Sequence, residues 1–280
     1  MNTTKRPGIF ADARHGQLLA LSCLIGLGAW AFAFEMPWWR PATGLGTAIA
    51  VQFLISLILR ARFDWRSAAI TGLSLTLLLR TNGPELVAVA AAIAIASKAI
   101  LRIDGRHFLN PAAIGIAITV LAFDSAWVSP GQWGTAGLAV PIAVAFGLAV
   151  TYGARRLEVP LAFLAAWAVL SFGRALWLGD PLAIPLHQMS SGALVVFAFF
   201  MISDPMTTPW HPLARLVWTV AVAITGFTLQ TTWIVDAGPI FGLLAMAPLV
   251  PLLNRLYPAP AHRWRPSRSL AQGDPKCVPS

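Results

Sequence analysis

The residues best placed to do chemistry in this chain sit where its apolar runs are interrupted. Ser190, Ser191 and Gly192 open one such run, and Asn110 and Pro111 open another. A free helix N-terminus presents unpaired N–H groups and a partial positive charge, which suits phosphate, carboxylate or the electron-rich edge of a ring. Small and hydroxyl-bearing residues also let membrane helices pack closely. The residues alone leave both readings open. The five histidines, His15, His107, His187, His211 and His262, fall in predicted loops or the tail and show no metal-ligand spacing; only His107 and His187 adjoin interrupted segments. The carboxylates, among them Asp64, Asp104, Asp204 and Glu158, fall at predicted span ends. Carboxylates inside spans mark proton relays, so their absence argues against a self-contained proton pump. No nucleotide-binding or serine-hydrolase motif is present. Cys23 and Cys277 form no C-x-x-C cluster, so the chain alone offers no cysteine metal site. No residue is assigned a catalytic role.

The elements that position these residues follow from composition. Of 280 residues, 57% are hydrophobic and 11% charged, against roughly 25% charge in a soluble domain. That apolar surplus exceeds what a soluble core of this length buries, and it excludes a water-soluble enzyme. The surplus is cut into runs of bilayer length, where about 20 helical residues cross about 30 Å. The runs do not alternate as barrel strands do, so the fold class is an all-α integral membrane protein. Spans are predicted at 17–34, 43–60, 67–79, 84–101, 110–123, 137–154, 159–175, 191–203, 213–230 and 237–253. With the N-terminus placed in the cytoplasm, every Lys and Arg except Arg40, Arg80 and Arg174 falls on the cytoplasmic side. The net charge of +9 is then a topology signal and not a nucleic-acid surface. A basic start and Ala31-Phe32-Ala33 resemble a signal peptide, but the apolar stretch is longer than a signal's, so the first helix is expected to be retained. The tail 254–280, rich in Pro, Arg and Ser, is expected to be a solvated cytoplasmic extension after a short segment 1–16 at the other terminus.

Two runs, beginning near Ser67 and Ser191, are too short to cross the hydrocarbon. Each is followed by a second interrupted segment: Pro111 lies 44 residues after Ser67, and Pro239 lies 48 after Ser191. Paired interrupted segments in two halves point to a site at the repeat interface. The expected halves are 17–123 and 137–253, five spans each, and an odd number per half makes the repeats inverted.

Two segments then resemble a known family. Gly105-Arg106-His107-Phe108-Leu109-Asn110-Pro111-Ala112-Ala113-Ile114-Gly115 is similar to its G-[KR]-H-x-[FL]-N-P-A-A-x-G segment. Phe199-Phe200-Met201-Ile202-Ser203-Asp204-Pro205-Met206-Thr207-Thr208-Pro209 is similar to its F-F-x-x-[ST]-D-P-x-[ST]-x-P segment, and Gly238–Arg255 to its final span. Over roughly 40–256 the chain resembles the RnfD subunit of the Rnf electron-transport complex and the NqrB subunit of the sodium-pumping NADH:quinone reductase. The resemblance implies ten spans in two inverted halves with a urea-channel-like fold. It also implies a multi-pass protein of the bacterial inner membrane with cytoplasmic termini, electron transfer coupled to ion movement, and other redox subunits as partners. It implies a flavin, FMN or riboflavin, at Ser190, Ser191, Gly192 and Ala193 on the outer side, either held there non-covalently or lost in this branch. Arg66, His107 and Asn110 would lie near the cytoplasmic broken segments. Asp204 and Thr207 would shape the cytoplasmic end of span eight, where Asp204-Pro205 reads equally as a helix-terminating turn. The family's flavin-attachment motif, D-x-x-[ST]-[SG]-A-T, is broken here: Gln188 replaces the Asp and Leu194 the Thr that bears the flavin. A leucine forms no phosphoester, which implies a divergent or stand-alone member. The alternative reading is a solute or ion channel of the same fold without redox chemistry.

Overall fold

Proline and asparagine set several helix starts in this protein. In the computed structural model, which describes residues 13–31, 36–128, 138–233, 235 and 237–262, Pro84, Pro111, Pro212 and Pro239 each stand in a first helical turn. There a missing N–H costs nothing. The helices are α1 (Ala13–Trp30), α2 (Trp39–Ile58), α3 (Trp65–Leu78), α4 (Pro84–Ile100), α5 (Pro111–Ala122), α6 (Ala139–Gly153) and α7 (Glu158–Leu178). They continue with α8 (Ala183–Met189), α9 (Gly192–Val196), α10 (Pro212–Thr232), α11 (Gly238–Met246) and α12 (Leu249–Leu256). A π-helical turn, Phe197–Met201, extends α9.

The chain is a mostly helical, multi-pass membrane protein. Among the described residues, α2, α7 and α10 are long and apolar enough to cross a bilayer, and five spans result if each bent pair counts as one. The bent pairs are α8 with α9, at 46°, and α11 with α12, at 45°. Pro248 sits at the second bend, where its ring cannot continue the ladder. Helix α3 has only 14 residues and α5 only 12. Large apolar side chains such as Leu57, Ile58, Leu121, Val169 and Trp177 face outward, as a lipid-facing surface requires.

The elements are not purely helical. At Leu79 the chain leaves α3 in extended form and makes β1 (Leu79–Thr81), which pairs antiparallel with β4 (Ala126–Val128). That pairing satisfies extended backbone that is fully buried. A second two-stranded hairpin joins β2 (Arg102–Ile103) to β3 (Arg106–His107). Its turn, Asp104-Gly105, has positive φ at both residues, 52° and 75°, as the tight hairpin turn demands.

In the first half α2 packs on α3 and α4, and α4 on α5; in the second, α10 packs on α7 and α11. Across the halves α1 touches α6, α5 touches α11, and the short helices α3 and α9 touch each other. Glycine permits the closest crossings. A methyl at Gly72 of α3 would stand 2.7 Å from the Gly44 carbonyl of α2, and one at Gly242 of α11 would stand 2.6 Å from the Gly226 nitrogen of α10. The core between them is closed by Phe163, Phe197, Phe199 and Trp218, all almost fully buried.

Three sequence expectations change. Arg40, Arg80 and Arg215, assigned to loop ends as topology charges, are buried, at 4%, 9% and 5% exposure. The tail does not begin at Asn254: α12 runs to Leu256, and the Asn254 side chain accepts the Trp210 N–H at 2.8 Å. His15 and His187 lie on α1 and α8 and not in loops. Residues 1–12, 129–137 and 263–280, with Phe32 and Ala33 of the signal-like site, fall outside the described residues.

Candidate functional site

One end of the bundle gathers the starts of α1, α3 and α5 with the ends of α2, α4 and the π turn. Because most of the chain's arginines cluster there, it is called the basic end. Between these elements lies a cavity of about 310 Å³, at the lower edge of the roughly 300–1,000 Å³ typical of ligand pockets. Arg14, Asp64, Ser67, Ser74, Lys98 and Asp204 line it, and so do His107 and Asn110.

Asn110 organises this end. As the N-cap of α5 its side-chain oxygen accepts the Ala113 N–H at 3.0 Å, the geometry that favours Asn at helix starts. Its amide then donates to the Met201 carbonyl at 3.1 Å. Gln17 of α1 donates to the adjacent Phe200 carbonyl at 3.4 Å, and the Ser203 hydroxyl donates to the Phe199 carbonyl at 2.5 Å. The last carbonyls of the broken span, which lack helical partners, are therefore taken by side chains. Beyond them Asp204 accepts the Met206 N–H at 2.9 Å, and burial pushes its carboxyl above the ordinary range. Asp204 is thus both a turn former and a lining group of the cavity.

The hairpin β2–β3 brings His107 to the cavity rim. Burial first, then the nearby charges of Lys98, Arg102 and Arg106, lower its pKa to about 4, so the ring is neutral near pH 7. Lys98 of α4 donates to the Ser67 hydroxyl of α3 at 2.7 Å. Arg14 pairs with Asp64 at 2.9 Å, tying α1 to the start of α3.

The predicted residues divide between the two ends. His107, Asn110 and Asp204 meet in the cavity. Arg66 does not line it: it donates to His15 Nε2 at 3.0 Å and stacks on Trp65. Thr207 is buried in the turn after the π segment, its hydroxyl 3.5 Å from the Asp204 carbonyl. At the opposite end a smaller cavity of about 90 Å³ is lined by Ser191, Ala193, Leu194, Gln188, Trp167 and Phe197, among others. Ser190 and Gly192 lie outside this lining, and the Ser190 hydroxyl is spent on the Leu186 and His187 carbonyls of α8.

Lys98, Ser74, Arg14 and Asp64 were missed as site residues. The signal for Lys98 is present: it interrupts the apolar run Leu86–Ile100 two residues before its end. Counting it as a loop charge concealed it.

The two segments joined by the Asn110–Met201 hydrogen bond are those whose sequences resemble one family, and direct comparison covers the second of them. Residues 128–261, just under half the chain, match the NQR2, RnfD, RnfE family. Over that stretch the chain is similar to the family. It is also similar to a subunit of the ion-translocating oxidoreductase complex of Citrobacter koseri, 30% identical over 99 residues, which cover 35% of this chain and 28% of that relative. The chain's match thus spans little more than a quarter of that relative's length.

For the flavin that the resemblance implies, the outer residues are a poor fit. The cavity at Ser191 is about 90 Å³, far below the roughly 300 Å³ at which ligand pockets begin. Leu194, buried at 7% exposure, fills the position of the expected attachment residue with an apolar side chain. The Ser190–Ala193 segment, as folded here, does not accommodate the ring system.

Proposed function

We propose that the chain is a membrane subunit of an electron-transferring, ion-translocating complex, built as ten spans in two inverted halves, 17–123 and 137–253. The observation that carries this reading is the hydrogen bond from Asn110 to the Met201 carbonyl. It joins, across the two halves, the two segments that most resemble the family. The inverted repeat draws support from the packing pairs: α2 with α4 and α4 with α5 in one half correspond to α7 with α10 and α10 with α11 in the other. Opposite charges also open equivalent helices, Arg40 and Glu85 at α2 and α4, Glu158 and Arg215 at α7 and α10. The basic end is the cytoplasmic end on the positive-inside rule.

In this reading the flavins belong to partner subunits, and Ser191–Ala193 holds none. The tagged full-length chain, extracted from native membranes under mild detergent, is expected to carry flavin- or iron–sulfur-bearing subunits with it. A chain recovered alone under those conditions overturns the proposal. A second reading, a solute channel without redox chemistry, is favoured by Leu194 and the tight apolar pocket around it. It predicts a colourless preparation that conducts small solutes in liposomes, with flux blocked by Ser191→Trp.

A further inference from the structure

The cavity at the basic end has more positive charge than its own carboxylates offset. Arg14, Arg62, Lys98 and Arg102 line it against Asp64 and Asp204. Asp64 is spent on Arg14. Asp204 is held towards its neutral form by burial. Lys98 forms no ion pair among the described residues; its recorded hydrogen-bond partner is the neutral Ser67 hydroxyl, at 2.7 Å. Asp64 and Asp204 act on Lys98 only at longer range, and a partly buried ammonium without a carboxylate in direct contact is costly. Ser74, on the wall next to Lys98's helix, is only 2% exposed and lines the cavity with a hydroxyl that can donate. Helix dipoles do not decide the matter, since α3 and α5 start at the cavity while α2 and α4 end there.

We propose that this cavity binds a ligand bearing one anionic group, a phosphate or a carboxylate, with Lys98 as its counter-charge and the Ser74 hydroxyl as a donor. Lys98, Arg62 and Arg102 on the lining repel a cation in the cavity, and an anion gains from all three. The apolar walls, Ile70, Ile95 and Phe200, suit an uncharged remainder, so an amphipathic anion fills the space better than a bare ion. The site is independent of any redox role.

The test uses the full-length protein in detergent, with thermal unfolding followed in sodium phosphate and sodium acetate against sodium chloride at equal ionic strength. A parallel arm compares nanodiscs with and without phosphatidylglycerol. Phosphate or acetate raises the midpoint above chloride if the source is a solute, and phosphatidylglycerol alone raises it if the source is a lipid headgroup. Lys98→Gln weakens the apparent affinity about tenfold or more, whereas Arg60→Gln, outside the lining, leaves it unchanged. If Lys98→Gln does not fold, Ser74→Ala replaces it, since it removes the hydroxyl without adding volume, and a severalfold loss is expected. The proposal is overturned if none of the three anions stabilises the protein, or if the folded variant binds as tightly as the wild type.

Discussion

The two ends of this bundle solve the same problem by different means. Each must close off helices too short to cross a bilayer, such as α3 and α5 with 14 and 12 residues. At the opposite end the chain turns extended after α3 and pairs β1 with β4, backbone to backbone, and the Ser190 hydroxyl folds back on its own helix. The cavity left there is small and apolar. At the basic end the carbonyls are closed by side chains: Asn110 to Met201 and Gln17 to Phe200 from distant helices, and Arg215 to Pro209 and Trp210 from the helix that follows them. Backbone pairing seals without leaving functional groups behind. Side-chain closure leaves a polar cavity lined by ionisable residues, and that is where a membrane protein can afford chemistry.

If that contrast is right, removing a side-chain closure is severe. Arg215 is the strongest case: its guanidinium meets Glu158 at 2.6 Å and donates to the Pro209 and Trp210 carbonyls, each at 3.1 Å. Arg215→Met leaves two carbonyls and a carboxylate unmatched. Glu158 is about a third exposed, so the loss is expected near 3 kcal/mol, short of a fully buried pair. Denaturant unfolding in detergent measures it, and a loss below about 1 kcal/mol, the level of an exposed pair, breaks the comparison.

Asn110→Ala comes next. It removes a helix cap and one of the two hydrogen bonds to the Met201 carbonyl, whose other donor is the Asp204 N–H, for about 2 kcal/mol in total. If α5 and the π turn are coupled through this one side chain, hydrogen exchange quickens at both. Faster exchange confined to α5 would mean that the link across the halves is incidental.

The acid limb of stability tests the basic end through His107. His107 holds its proton less tightly when folded, with a pKa near 4 against an ordinary 6.5. The unfolded chain therefore binds the proton first, and stability present above pH 6.5 is lost as pH falls towards 4. In His107→Gln the fall across that window is shallower than in the wild type. Parallel curves would place His107 in contact with solvent, away from Lys98, Arg102 and Arg106.

Much of this was legible in the residues. The interruptions at Asn110-Pro111 and at Pro239 are visible because proline and asparagine act locally, through a fixed φ and a short side chain that caps. The short runs near Ser67 and Ser191 likewise appear as short helices, α3 and α9 with its π turn. What the residues conceal depends on distant contacts. Lys98 looks like a span-end charge until α3 supplies Ser67 beside it, and Arg215 looks like a topology signal until Glu158 and two loop carbonyls surround it. The hairpin at Asp104-Gly105 was readable from its turn residues and was hidden by attention to the helices alone. Ser190 misled because a serine at an apparent helix start can equally finish the helix before it.

The smallest effect belongs to the sealed end. Leu194→Thr puts a hydroxyl back where the resembling family attaches its flavin, and a simple motif argument expects covalent flavin to return. The packing argues otherwise. The hydroxyl would enter an apolar cavity of about 90 Å³, with Gln188 where the motif has an acid and with Trp167 and Phe197 occupying the wall. The expected cost is about 1–2 kcal/mol for a poorly satisfied buried hydroxyl in place of a leucine. In-gel fluorescence after denaturation is expected to show no flavin bound to the chain, even when the variant is made in cells that can attach it. A fluorescent band would show that the outer cavity opens wide enough for the ring, and the division between a sealed end and a chemical end would have to be abandoned.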